Sequence, residues 1–179
     1  MPALDHLASL FYSSTAELGS FVEVLAESMP PAYRELLAHH EHMTVAVERH
    51  HDCKVDVEVL ATRTDGDFYS RQIVLHLQSN RNTVLWGVPR INLRLLDEDV
   101  KREILSEKIP LGRVLIDHNV MREVQLASLY RVEPGPDLCK LFGLAQPQIT
   151  YGRTAFIYCD GYPAIELLEI VSPEPTLKP

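Results

Sequence analysis

Tyr69-Ser70-Arg71-Gln72-Ile73-Val74-Leu75-His76-Leu77-Gln78 reads as a half-buried β-strand with one residue out of place. Tyr69, Arg71, Ile73, Leu75 and Leu77 fall on one face; Ser70, Gln72, Val74 and His76 fall on the other. Alternation with one apolar face belongs to antiparallel sheets. Arg71 stands on that apolar face, where an unpaired guanidinium is strongly unfavourable. Such an arginine meets an internal carboxylate or waits for an anionic ligand, and the pattern leaves both open.

The stretches on either side extend the sheet. Ser79-Asn80-Arg81-Asn82 is a polar turn into a second strand over residues 83–95. Upstream, Val55, Val57 and Val59 alternate with Asp56, Glu58 and Leu60, and Thr64-Asp65-Gly66-Asp67 supplies the turn. Met43, Val45 and Val47 alternate with Thr44, Ala46 and Glu48, so a strand is expected there too, with His50-His51-Asp52 as its hairpin loop. Downstream, Asp97 offers an N-cap to a helix through Val100, Ile104 and Leu105, which Pro110-Leu111-Gly112 closes. A strand over residues 123–132 precedes the Pro134-Gly135-Pro136 break and a short helix over 137–144. Residues 149–159 and 162–171 flank Asp160-Gly161, a strong hairpin signal. Leu4, Leu7, Ala8, Leu10 and Phe11, then Phe21, Val22, Val24 and Leu25, recur at helix spacing. Residues 1–35 are therefore expected to form a helical N-terminal segment. The fold class is α+β, one antiparallel sheet flanked by helices.

Composition narrows the function classes. The chain has 179 residues, 46% hydrophobic and 23% charged, the balance of one globular domain spanning residues 1–179. With 17 Lys+Arg against 25 Asp+Glu the net charge is −8, which argues against nucleic-acid and anionic-membrane partners. No apolar run approaches the ~18 residues of a membrane span. Residues 1–12 carry Asp5 and no Lys or Arg, so no secretory signal is expected. Three cysteines (Cys53, Cys139, Cys159) without CxxC spacing predict a reducing, cytoplasmic setting with neither a disulfide framework nor a zinc site. His39, His40, His42, His50 and His51 lack the i, i+4 pairing of a metal-binding helix, so no metal is expected. GxSxG, P-loop and GxGxxG motifs are missing, which removes serine-hydrolase and nucleotide-dependent chemistries.

Further charges contradict the strand pattern. Arg90 shares a face with Trp86 and Val88, and Arg153 shares one with Ala155 and Ile157. On the last strand Glu169 shares a face with Ile165, Leu167 and Val171, while Glu166 shares the other with Ala164, Leu168 and Ile170. Both faces are apolar, so periodicity alone does not choose the inward carboxylate. A desolvated one would have a raised pKa suited to acid or base work.

Four blocks, in order, resemble the chorismate lyase family. They are Leu36-Leu37-Ala38-His39-His40-Glu41-His42-Met43-Thr44, Tyr69-Ser70-Arg71-Gln72-Ile73-Val74-Leu75, Ile109-Pro110-Leu111-Gly112-Arg113-Val114-Leu115, and Tyr151-Gly152-Arg153-Thr154 with Asp160-Gly161-Tyr162-Pro163 and Glu169. The resemblance covers residues 36–173, with residues 174–179 left as a loose tail. It implies about six antiparallel strands around an internal ligand cavity closed by helical flaps. It also implies a cofactor-free carbon–oxygen lyase that converts chorismate to 4-hydroxybenzoate, or a related hydroxybenzoate, and pyruvate. By that resemblance Met43, Leu111 and Gly112 bind the aromatic carboxylate through the backbone and Arg71 anchors it. Arg90 meets the pyruvyl side, Arg153 adds a substrate contact, and Glu169 is the acid/base or hydroxyl-orienting group, with Glu166 its off-register rival. The alternative is a non-catalytic effector-sensing domain of the same fold that binds a small carboxylate. Residues 1–35 are expected to be too short and too acidic for a DNA-binding helix-turn-helix. Monomer and homodimer both fit.

Overall fold

The computed structural model describes residues 4–120 and 122–174. Its strands are β1 (Gly19–Val24), β2 (Val55–Asp65), β3 (Phe68–Leu77), β4 (Thr83–Asn92), β5 (Arg122–Pro134), β6 (Thr150–Cys159) and β7 (Tyr162–Val171). They form one sheet in the order β1-β5-β6-β7-β4-β3-β2, antiparallel at every pairing. The helices are α1 (Leu4–Ala8), α2 (Thr15–Leu18), α3 (Pro31–Leu37), α4 (Met43–His51), α5 (Glu98–Leu105), α6 (Leu111–Asp117) and α7 (Pro136–Leu141). The β6–β7 hairpin turns on Asp160 (φ 51°) and Gly161 (φ 83°), the two consecutive left-handed residues whose twist suits a two-residue hairpin.

Both faces of the sheet are covered. On one, Leu75, Leu85 and Val171 pack beneath Leu36 and Leu37 of α3 and Ala46 and Val47 of α4. Further along the same face, Ile157, Ile165 and Leu167 pack beneath Ile104 of α5 and Leu111, Val114 and Leu115 of α6. The opposite face buries Trp86, Val88, Leu168 and Ile170 against Leu7, Leu18 and Leu138 of α1, α2 and α7. Each such Leu, Ile or Val side chain contributes roughly 1.5–3 kcal/mol of burial. A double cover explains why β7 is apolar on both sides.

Several sequence expectations give way. Met43 to Val47 is helical, not extended: Met43, Thr44, Ala46 and Val47 are the buried positions, a helical spacing. Five residues fit either period, and packing on the sheet decides. His50 and His51 close α4, and Asp52 caps it in the left-handed region at φ 47°. Pro110-Leu111-Gly112 opens α6 rather than closing the preceding helix, with Pro110 as its N-cap. The N-terminal segment is not wholly helical, because residues 19–24 add a seventh strand by pairing with the edge of β5. The tail is held through residue 174: Ser172 N–H donates to the Val84 carbonyl at 2.9 Å and Glu174 N–H donates to the Tyr33 hydroxyl at 2.7 Å. The rest of the expected loose tail lies outside the described residues. No helix among the described residues is long and apolar enough to cross a membrane.

Candidate functional site

Between the two helix pairs, on the face that carries Ile73 and Leu167, the sheet and the helices enclose a cavity. It holds about 40 Å³ for the centres of water-sized molecules, several times the ~10–15 Å³ that one water needs. Ile73, Leu75, Leu85 and Leu167 make its floor apolar, and three charged side chains, Arg71, Arg153 and Glu169, break that floor. Met43 and Thr44 from the start of α4 and Leu111 and Gly112 from the start of α6 form the roof. First-turn amides of a helix have no intrahelical acceptor, so both helices begin against the cavity with unpaired donors.

Gly112 is required by that roof. A Cβ there would come within 2.9 Å of Thr44 Oγ1 and 3.0 Å of His42 Cβ, so the two helix starts abut only without a side chain. Glu48 ties the same helices together. Its carboxylate accepts from Arg113 Nη2 at 2.6 Å, from Lys54 Nζ at 2.7 Å and from the Val55 amide at 3.3 Å. Burial pushes the Glu48 carboxyl up, but Lys54, the Val55 N–H and Arg113 together hold it below its ordinary value.

Arg71 and Arg153 differ in how they are satisfied. Arg153, fully buried, donates from Nε to Glu169 Oε2 at 2.9 Å. Its remaining nitrogens reach the carbonyls of Leu37, His39 and Glu41 at 3.2–3.4 Å. That set pins the link between α3 and α4 onto β6. Arg71 is 1% exposed; its Nη1 reaches the Ile104 carbonyl in a long hydrogen bond of 3.4 Å, the Tyr69 hydroxyl lies beside the guanidinium as a further weak partner, and Nε has no partner among the described residues. Burial pulls its pKa below the usual arginine value, and Tyr69 and Glu107 pull it back up. Arginine stays charged regardless. Tyr69 donates to Glu107 at 2.8 Å, so this carboxylate engages the phenol beside Arg71 rather than Arg71 itself.

Arg90 is not at the cavity. It pairs across the strands with Ser70, and so shares Ser70's face rather than Arg71's. There Nη1 donates to Glu166 Oε2 at 3.0 Å, and the guanidinium lies 3.5 Å from the Phe68 ring centre. The expected pyruvyl contact is therefore corrected: strand parity directs Arg90 to the other side of the sheet. Glu166 follows it, leaving Glu169 as the β7 carboxylate on the cavity wall.

Two wall residues, Gly87 and His42, carry no strand-parity signal in the sequence. Gly87 lies in register between Ile73 and Glu169, and a Cβ there would sit 3.6 Å from Glu169 Cγ. His42, 7% exposed, accepts from Arg122 Nε at 2.7 Å. Burial, then Arg122 and Arg153, push its pKa down to about 4, so the ring is neutral at pH 7. Among the described residues no three His, Cys, Asp or Glu side chains are placed to hold a metal.

No family model and no curated protein matches this chain. Its fold does match solved structures. The effector domain of PhnF from Mycobacterium smegmatis superposes with a TM-score of 0.54 at 10% identity, over 74% of this chain and 88% of that one. A GntR-family transcriptional regulator from Enterococcus faecalis V583 matches at 0.47 and 10% identity, over 69% and 99%. The first likeness establishes the architecture as the chorismate lyase-like α+β fold that effector domains also use.

Proposed function

We propose that this chain binds a small carboxylate in the cavity between sheet and helices, as an effector-binding domain. The observation that carries the reading is Arg71, a buried guanidinium whose neighbours among the described residues are a distant carbonyl and the Tyr69 hydroxyl, whose Nε meets nothing and to which no carboxylate is hydrogen-bonded. Leaving a charge so poorly paired is strongly unfavourable, and a carboxylate ligand offers the forked partner it lacks. The apolar floor suits a small ring or a short unsaturated skeleton, and because the closed cavity has only about 40 Å³ the roof must shift outward to admit one. The fold shared with the PhnF effector domain supports the same reading. Resemblance to chorismate lyases supplies the probe, 4-hydroxybenzoate. Calorimetric titration of the protein is expected to give one saturable site, lost in Arg71→Ala. Undiminished binding by that variant overturns the assignment.

Glu169 favours a second reading, chorismate lyase activity. Its side chain, 12% exposed, lines the same cavity as Arg71 and is held by Arg153. In this reading Arg71 holds the ring carboxylate and Glu169 meets the ring hydroxyl. The hydroxyl-bearing ring carbon gives up its proton as the ether C–O bond breaks. The departing enolpyruvate then takes up a proton and becomes pyruvate. Aromatisation drives the step, so the protein contributes orientation, water exclusion and charge stabilisation. Incubation with chorismate followed by chromatography separates the two readings. Free 4-hydroxybenzoate and pyruvate mean an enzyme; bound, unaltered chorismate means an effector domain.

A further inference from the structure

Directly outside the cavity lies an open groove that shares two of its walls, His42 and Val124. Arg122 stands on this groove, half-buried at the start of β5. Its Nε donates to His42 and its Nη1 donates to the Val120 carbonyl at 3.0 Å; among the described residues neither bond goes to a carboxylate. A guanidinium has five N–H donors, so most of this one remains free. His42, neutral and buried, orients Arg122 without cancelling its charge. The other charged groups on the groove are Glu41, already bound by Arg49 at 2.8 Å, and Glu123. His40 is tied to the Val124 carbonyl at 3.0 Å.

On the cavity side of the sheet the cations are thus of two kinds. Arg153 is taken up by Glu169 and three carbonyls. Arg71 within the cavity and Arg122 just beyond His42 are not engaged by a carboxylate. We propose that Arg122 is a second carboxylate subsite at the outer end of the cavity. The ligand is then a dicarboxylate, with one acid group on Arg71 and the other on Arg122. This rests on the reading of Arg71 as a carboxylate anchor, and it identifies the residue that replaces Arg90 at the second acid group.

Two probes of matched shape test it: 4-(carboxymethoxy)benzoate, with two acid groups, and 4-methoxybenzoate, with one. Titration calorimetry of the native protein is expected to show the diacid bound more tightly by about tenfold, the weight of one charge-assisted hydrogen-bonded contact. Arg122→Gln is expected to erase that advantage and leave the monoacid within about twofold, while Arg122→Lys keeps part of it. A diacid preference that survives Arg122→Gln, or an equal loss for both acids, overturns the subsite while sparing the Arg71 anchor. Native protein that binds neither acid overturns the anchor and the subsite together.

Discussion

The two faces of the sheet carry matching ion pairs with unlike consequences. On the cavity face β6 and β7 bring Arg153 to Glu169; on the other, β4 and β7 bring Arg90 to Glu166. The inner pair is nearly sealed, with side-chain exposures of 0% and 12%, while the outer pair keeps 20% and 24%. What separates the faces is the third charge. Arg71 adds a cation inside to which no carboxylate among the described residues is hydrogen-bonded, Glu107 reaching it only through the Tyr69 phenol, and the outer face, packed around Trp86 and Leu168, has none like it among its buried polar residues. A buried pair alone is weak grounds for a site, because ion pairs also occur as structure. An excess charge of one sign on an apolar wall is stronger grounds.

The contrast breaks most directly at its two unlike arginines. Arg71→Ala is expected to weaken 4-hydroxybenzoate binding by ~2–5 kcal/mol, the range for removing one partner of a buried charge pair. Its thermal unfolding should stay close to that of the parent protein. If chorismate is turned over, Glu169→Gln is expected to lower kcat by ~10²–10⁴ and Glu166→Gln to leave it unchanged; the reverse ranking in steady-state kinetics overturns the division of faces.

Acid sharpens the comparison next. His42, at the edge of the cavity, is held neutral down to about pH 4 in the folded chain, against an ordinary value of 6.5. Between those values the unfolded chain binds a proton that the folded one refuses. Stability therefore falls as pH drops from 6.5 towards 4, by roughly 3 kcal/mol at most. Thermal melts across that window are expected to show the loss, and His42→Gln to flatten it.

Gly87 tests the size of the cavity. Its Cβ would meet Leu168 O at 3.2 Å and Leu85 Cδ2 at 3.4 Å, so Gly87→Ala fits after small shifts while filling space beside Glu169. Binding of a ring-substituted benzoate should fall by about tenfold, ~1–3 kcal/mol being the discrimination one methyl-sized change affords. Arg90→Ala has the smallest expected effect. Ligand affinity should not move, and stability should fall by ~1 kcal/mol, the upper end for a pair that keeps part of its surface in water.

Strand parity was the most legible part of the site. Over the ten residues of β3 and of β7 it puts Arg71 with Ile73 and Leu75 and Glu169 with Leu167, and both lie on the cavity wall. Parity also groups Arg90 with Trp86 and Val88, and this physical signal was sounder than the role that resemblance assigned to it. The run from Met43 was too short to distinguish two periods, so the helix forming half of the roof read as a strand. Arg122 and His42 meet across 80 positions, and Gly87 contributes by lacking a side chain. Neither leaves a local pattern to find.

Glu48 gives the cavity a divided response to its medium. The roof helices α4 and α6 are joined through Glu48 and Arg113, whose side chains are only 10% and 30% exposed, so dissolved ions screen the joint weakly. The floor is hydrocarbon, and strongly hydrated salts such as sulfate reinforce contacts of that kind. Strongly hydrated salts therefore firm the floor while leaving the roof joint little changed. A ring seated on that floor is therefore expected to be held more tightly in sulfate, while the charged joint above it stays as it is.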